Sequence, residues 1–581
     1  MKIIRNLILA LIASVTLGCS DFLEISNKGA ISPEFFPTTM NQMQLLVNSM
    51  YGGNTDQGLY GFYYLPYAIY LFDKTNDLAW TADPPRNGQL INHTDPTSSY
   101  LRNTYREIFR SVGFANSVLD VLPAFKEKYA TESDMSELDF MEGQALFFRA
   151  FAYWHGQIFC QLEPTGLALP LIDKVPTTME EMMKPRATTA EFWQFLIDDL
   201  NKAIPLLRGK TDKKRVTEWA AKAFLAKVYT QSGDLEKAKP ALKDVIDNSG
   251  AALVPFDTYK NMFNGENEFN NETFFEVDLT MYENQWGPWG GATTGSSMPM
   301  VFAPRYVNLD DEGKPLASAW GNNFIHDKNL FRFGFNLNIP VMEDNPDYIP
   351  PPGESKVITI TNLPFKCPAD YVEASLKMRT EKTVDPRLWI GVAQPFIDTV
   401  LLVDGRKTIY YYSDIDRSDL HRWCQKKFTN VKGTESDWQL NSGVNYPFIR
   451  LADIYLLYAE VCATSEPAVA LEYVNKVKRR AYGYPVNSAS PVDYASLTAR
   501  TNARPEDHLA NDPLKYERWA ELFAEGQWWM DIRRLKIGSK EAAYYVTTTV
   551  GNIEWSDNYS YAQPIPSQEL ERNENLIQNP L

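Results

Sequence analysis

At 581 residues the chain is longer than one compact core usually holds, so one large or two interlocked domains are expected. Its 44% apolar and 22% charged residues are those of a globular protein. A net charge of -16 repels phosphate backbones and brings no gain from counterion release, which argues against nucleic acid as a partner.

Taken in order, residues 1–18 read as a signal peptide. Lys2 and Arg5 precede an apolar run from Ile8 to Leu17, and Gly18-Cys19 leads into polar Ser20, Asp21 and Glu24. Basic, apolar and small-residue regions in that order make a secretory signal. The apolar part is too short to span a ~30 Å hydrocarbon core, which takes about 20 residues. A Gly-Cys pair closing it has the form of a lipoprotein processing site, with the lipid on Cys19. Thr16 departs from the large aliphatic residue usual there, and the alternative is a plain secretion signal in which Cys19 is incidental. No later stretch approaches 18 unbroken apolar residues, so no further span is expected. Cys160, Cys367, Cys424 and Cys462 are scattered without a CxxC pair, which indicates neither a zinc cluster nor a dense disulfide framework.

Helical spacing appears over Met40 to Met50 and again over Tyr105 to Leu122. Glu142 to Phe159 is apolar nearly all round and is expected to be a buried helix, with His155 satisfied inside it. Thr188-Thr189-Ala190-Glu191 matches a capping box that opens the next helix. From Thr217 to Asn248, Gly233-Asp234 separates two antiparallel helices in a hairpin of tetratricopeptide type, although Pro240 breaks its second pattern. Arg450 to Ala481 repeats the plan, with Ser465-Glu466-Pro467 as the start of its second helix. Strong helix returns after residue 512, and Gln563-Pro-Ile-Pro566 is expected to lie irregularly along the surface. The expected fold is therefore all-α, a tetratricopeptide-like scaffold of helical hairpins around a loop-rich, aromatic region, 255–445.

These pieces resemble, in order and spacing, the SusD/RagB family of lipid-anchored nutrient-binding proteins of the Bacteroidetes outer membrane. Cys19 to Glu24 is similar to the family's mature start, and Glu142 through Tyr153 to Pro170-Leu171 is similar to its first long helix and loop. Pro185-Arg186, Asp199-Leu200 and Ala220 to Asp234 continue the match. So do Asp385-Pro-Arg387, Ile449 to Glu460, Asn475, Arg479-Arg480-Ala481, Glu517 to Arg534, Pro564-Ile-Pro566 and Gln578-Asn-Pro580. The resemblance implies an N-terminal region over 19–265 and a C-terminal region over 266–581. It also implies a SusC-like, TonB-dependent transporter as partner, an oligosaccharide or else a peptide as ligand, and a place on the outer membrane facing outward.

No nucleophile elbow, Walker loop or HExxH motif occurs, and the five histidines lack ligand spacing, so no cofactor or metal is expected. Glu517, Glu521 and Glu525 are spaced to share a helix face, and Glu521 with Glu525 could supply the ~5–10 Å carboxylate separation of a glycosidase. The alternative, favoured here, pairs them with Arg518, Arg533 and Arg534 as structure, so the chain is expected not to be an enzyme. Aromatic residues make up 13%, more than packing alone usually demands. A sugar presents an apolar C–H face that suits a preformed aromatic platform with a few polar neighbours. Three loop clusters qualify: Tyr282, Trp286 and Trp289; Tyr60, Tyr63, Tyr64 and Trp80, near Asp73, Asn76 and Asp77; and Trp320. These rings could instead fill a core. A peptide ligand would use backbone hydrogen bonds and mixed pockets in place of the platform.

Overall fold

The computed structural model describes residues 36–53, 55, 58–70, 75–77, 95–280, 295–302, 323–337, 339, 342–350, 362–401, 407–409, 423–429, 442–545 and 555–581. Within them helices carry the architecture, and no strand exceeds five residues. Helix α1 (Met40–Gly52) opens where the Thr39 hydroxyl accepts the Gln42 amide, and turns Met43, Val47 and Met50 inward. α2 (Tyr64–Tyr70) and the short strand β1 (Thr75–Asp77) follow. α3 (Ser99–Lys128) lies along α4 (Met135–Gly156), which packs in turn on α5 (Thr189–Leu206). α3 is long and apolar enough to cross a membrane by length and composition, but Leu101, Ile108, Val112 and Leu122 on its apolar stripe are core residues.

α4 begins before Glu142, at Met135, and every residue from Gly143 to Gly156 is buried, as a helix apolar all round must be. Its Arg149 grips Asp199 of α5 through two bonds of 2.8 and 2.7 Å, a bidentate pair well suited to holding two helices in register. The capping box of α5 forms as expected: the Thr188 hydroxyl accepts the Glu191 amide, and the Glu191 carboxylate accepts the Thr188 amide at 2.8 Å.

α6 (Glu218–Ser232) and α7 (Leu235–Asn248) form the first hairpin, closed by Gly233 at a φ of 84°. Pro240 does not interrupt α7. It sits exposed on the outer face, and the carbonyl it leaves without a donor belongs to Glu236, itself exposed to water. Strand β2 (Thr273–Val277) comes next; β3 (Asn323–Ile325) leads into α8 (Asp327–Arg332). β4 (Tyr446–Arg450) pairs antiparallel with β2 and runs directly into α9 (Leu451–Cys462), which forms the second hairpin with α10 (Pro467–Ala481). α7 packs against α9, and buried Lys227 of α6 reaches Asp453 of α9 at 2.6 Å, so the two hairpins share one core. α11 (Pro513–Glu521), α12 (Trp528–Arg534) and α13 (Gly538–Tyr544) complete it.

Gln563 to Pro566 is irregular, as its prolines require, but it is buried and does not lie along the surface. The reason is the unwound end of α4, whose last carbonyls need donors. The Gln563 amide serves Ile158 at 2.7 Å, and the Asn579 side chain serves Phe159 at 2.9 Å. Arg186 adds bonds to Phe159, Leu167 and Ile577 of 3.1, 2.7 and 2.8 Å. None of Cys160, Cys367, Cys424 and Cys462 forms a disulfide.

Candidate functional site

Of the proposed aromatic platform, Trp80, Tyr282, Trp286, Trp289 and Trp320 lie outside the described residues, as does Cys19. Their flanks are placed. β1 pairs antiparallel with β3, setting Asp77 opposite Asn323 and Thr75 opposite Ile325. The stretch before Trp80 is thereby joined to the stretch after Trp320. Ile325 also donates its amide to the Trp423 carbonyl at 2.6 Å. The segment that carries Tyr282, Trp286 and Trp289 is held at both ends. Leu279 donates its amide to the Asn445 side chain at 2.9 Å, and Ser296 exchanges two backbone bonds of 2.8 Å with Ser442. Next to it, the Ser297 hydroxyl donates to the Gly61 carbonyl at 2.7 Å, between Tyr60 and Tyr63. Three clusters far apart in sequence therefore have adjoining bases. Asn445, Ser296, Ser297 and Ser442 were not singled out beforehand, because a short polar side chain gives no sign of a loop anchor until its distant partner is known.

The three described tyrosines divide, and Tyr64, which opens α2, is buried in the core. Tyr63 is half-buried, with the Arg106 guanidinium 5.9 Å from its ring centre. Tyr60 is 1% exposed: its ring stacks on Phe151 and meets Tyr446, and its hydroxyl donates to His155 Nε2 at 2.7 Å. Its faces are covered by core residues, so it fills the core and does not form a platform. His155 Nδ1–H donates to the Phe151 carbonyl at 2.6 Å, which satisfies both ring nitrogens of a neutral imidazole.

This arrangement has a pH signature. Burial lowers the His155 pKa from 6.5 to about 3. Burial also pushes Glu276, which anchors Asn445, up from 4.5 to about 7, against hydrogen bonds from Thr273 and Asn445. Between pH 6.5 and 4.5 the unfolded chain binds one proton more at His155 and one fewer at Glu276, so their slopes oppose. In a His155→Leu variant the Glu276 slope is no longer opposed by His155. The urea midpoint of that variant should then rise, relative to wild type, as pH falls through this window. A slope unchanged from wild type would contradict the assignment.

The three carboxylates spaced like a glycosidase pair have another role. Glu517 and Glu521 belong to α11, but the helix ends at Glu521, and Glu525 follows a turn in which Ala524 takes a φ of 61°. All three are buried. Glu517 accepts from Arg387 at 2.6 Å, Glu521 from Arg450 at 2.5 Å and also from Arg480, and Glu525 from Lys427 at 2.7 Å. Glu272, just before β2, accepts from Arg480 at 2.7 Å and Arg450 at 3.3 Å. The partners differ from those expected for these three, since Arg518 pairs with Asp453 and Asp531, and Arg534 with Glu460 and Asp531. Each carboxylate is paired with cations inside the core, although Glu521 Oε2, 3.6 Å from Arg387, accepts no hydrogen bond among the described residues.

Residues 21–230 match the family described as starch-binding, associating with outer membrane, and residues 405–581 match the SusD family. The chain is SusD-like. Among its relatives, the SusD-like protein P2 of Formosa agariphila is 24% identical over 571 residues, covering 97% of this chain and 96% of that one. A laminarin-binding SusD-like protein of known structure superposes with a TM-score of 0.64 at 21% identity, over 94% of this chain and 99% of its own. Surface glycan-binding protein A of Bacteroides thetaiotaomicron, solved with laminarihexaose, gives a TM-score of 0.61 at 17% identity over 93% and 100%. In this SusD-like chain the residues that carried the family resemblance are framework: Arg149 with Asp199, Asp385 with Arg387, and Glu521 with Arg450 are all buried ion pairs.

Proposed function

We propose that this SusD-like chain is a non-catalytic, outer-membrane binding protein for oligosaccharides, which it hands to a SusC-like, TonB-dependent transporter. The observation that carries this reading is the convergence of the three aromatic segments at their bases. Strand β1 runs toward Trp80, β3 is entered from Trp320, and in an antiparallel pair those two directions leave the ladder at the same end. Trp80 and Trp320 are each three residues beyond the Asp77–Asn323 pair. Trp286, Trp289 and Tyr282 belong to the segment pinned beside Gly61, and Tyr63 stands at its edge; Tyr60 does not take part. Rings carried on these segments would offer faces for the C–H side of a pyranose, with Asn76 and Asp77 close by in sequence for its hydroxyls. The named ligands of the structural neighbours, laminarin and laminarihexaose, support a glycan over a peptide.

Calorimetry with laminarin and starch oligosaccharides tests the reading. Trp80→Ala and Trp320→Ala should each weaken binding about tenfold or more, a loss of ~1.4 kcal/mol, with an unchanged melting temperature. Binding to peptides and to no glycan would sink it. The same proposal places a lipid on Cys19, with Asp21 and Glu24 as a surface-export signal. Palmitate should label wild type and not Cys19→Ala, and the variant should be lost from the cell surface.

A further inference from the structure

A cleft of about 440 Å³ opens between the start of α5, the turn joining α6 to α7, α9 and the end of α12. That volume lies in the ordinary range of ligand clefts, roughly 300–1,000 Å³. Trp193, which is half-buried, and Gln231 line it together with Glu460, Arg533, Arg534 and Lys536.

Arg533 is unlike the other buried arginines. It is 2% exposed, and no carboxylate pairs with it among the described residues. Its Nε donates to the Tyr561 carbonyl at 2.6 Å and its Nη2 to the Cys160 carbonyl, which leaves Nη1 without a protein acceptor among the described residues. Arg186 also lacks a carboxylate, but its Nε, Nη1 and Nη2 are all taken up by carbonyls. Arg534, beside it, is neutralised by Glu460 and Asp531. Burial lowers the Arg533 pKa to about 10, so it remains a cation at neutral pH. Lys536 pairs with Glu163 and Asp234 with Lys237, so among the described lining residues Arg533 is the cation left without a counter-charge. A buried cation without a counter-charge is costly, and an anion in the cleft offsets that cost.

We infer that this cleft is a second sugar site that takes a carboxylate-bearing residue, with the carboxylate on Arg533 Nη1 and the pyranose face on Trp193. It rests on the reading of the chain as a carbohydrate binder, but it uses none of the residues of the aromatic face.

The full mature protein, labelled with 5-fluorotryptophan, is titrated with hexagalacturonate, hexamannuronate and neutral laminarihexaose. The Trp193 signal is identified by its loss in Trp193→Ala. At least one uronate should shift that signal while laminarihexaose does not. Trp193→Ala should weaken uronate binding about tenfold or more, added salt should weaken it further, and Trp320→Ala should leave it unchanged. Arg533→Gln should abolish it; where that variant fails to fold, Trp193→Ala, at a half-buried position, decides. If neither uronate moves Trp193, or if Trp320→Ala removes uronate binding, the inference is wrong. Laminarihexaose binding lost in Trp320→Ala, with Trp193 silent to uronates, removes this inference and leaves the aromatic face standing. A uronate at Trp193 with no neutral glycan bound anywhere does the reverse.

Discussion

Replacing Glu521 by glutamine should lower folding stability by about 3–5 kcal/mol, the usual consequence of leaving buried charges without their partner. Glu521 is wholly buried, with Arg450 at 2.5 Å, Arg480 in contact and Arg387 at 3.6 Å. Burial alone would raise its pKa; Arg480, Arg450 and Arg387 override that and hold it at about 2, below its ordinary 4.5. Glutamine preserves the shape but removes the charge, and its amide group must face guanidinium donors. Because the folded pKa lies below the unfolded one, this contribution is complete above pH 4.5 and is lost as pH falls toward 2. The variant should therefore show both a lower denaturant midpoint at neutral pH and a shallower acid limb. If Glu521→Gln kept wild-type stability, the framework role would be wrong. A simultaneous change of Arg480 to methionine should cost less than the sum of the two single losses, because the pair is in contact.

The second large effect is expected at Arg332, where Arg332→Met should cost about 3–5 kcal/mol. Its guanidinium is fully buried between Asp507, at 2.6 and 3.0 Å, and Glu541, at 3.0 and 3.2 Å. Glu541 further accepts the Trp528 indole N–H at 3.1 Å and meets His508 Nε2 at 2.5 Å. Without the arginine, two carboxylates remain buried together and one must take up a proton. Arg332 ends α8, the helix that follows β3, so it ties the strand of the candidate site to α13. Local loosening should show as faster exchange of the Ile325 amide, normally bonded to the Trp423 carbonyl, well below the melting temperature. Arg332→Lys should recover only part of the loss, since an ammonium cannot bridge both carboxylates with a planar fork. Equal exchange at Ile325 in all three proteins would disconnect the ion cluster from the site.

Much of the helical framework is legible in the residues themselves. The stripes over Met40 to Met50 and Tyr105 to Leu122, the Thr188–Glu191 box and the Gly233 turn are local signals, and each produces the element it predicts. Local signals mislead where a distant partner decides. Regular spacing put Glu525 on the face of Glu517 and Glu521, but α11 stops at Glu521 because Glu525 is drawn to Lys427 and Arg450. Prolines placed 563–566 outside a helix correctly and on the surface wrongly, since the carbonyls at the end of α4 draw the segment inward. Tyr60 carried the composition of a platform, yet Phe151 and Tyr446, distant in the chain, close over it. The proposed aromatic face is the least legible part. Its rings stand out by composition, but what joins the described flanks of their segments is a register between two three-residue strands and a few serine and asparagine bonds.

The bond from Asn579 to the Phe159 carbonyl spans 420 residues. It sets the order in which the molecule can be finished. During folding α3, α4 and α5 can gather, but the carbonyls at the end of α4 stay open until residues 563–579 dock. Contacts of such separation are slow to form, because a long loop must close before they contribute. The N-terminal half can therefore close fully only when residues 563–579 dock on it.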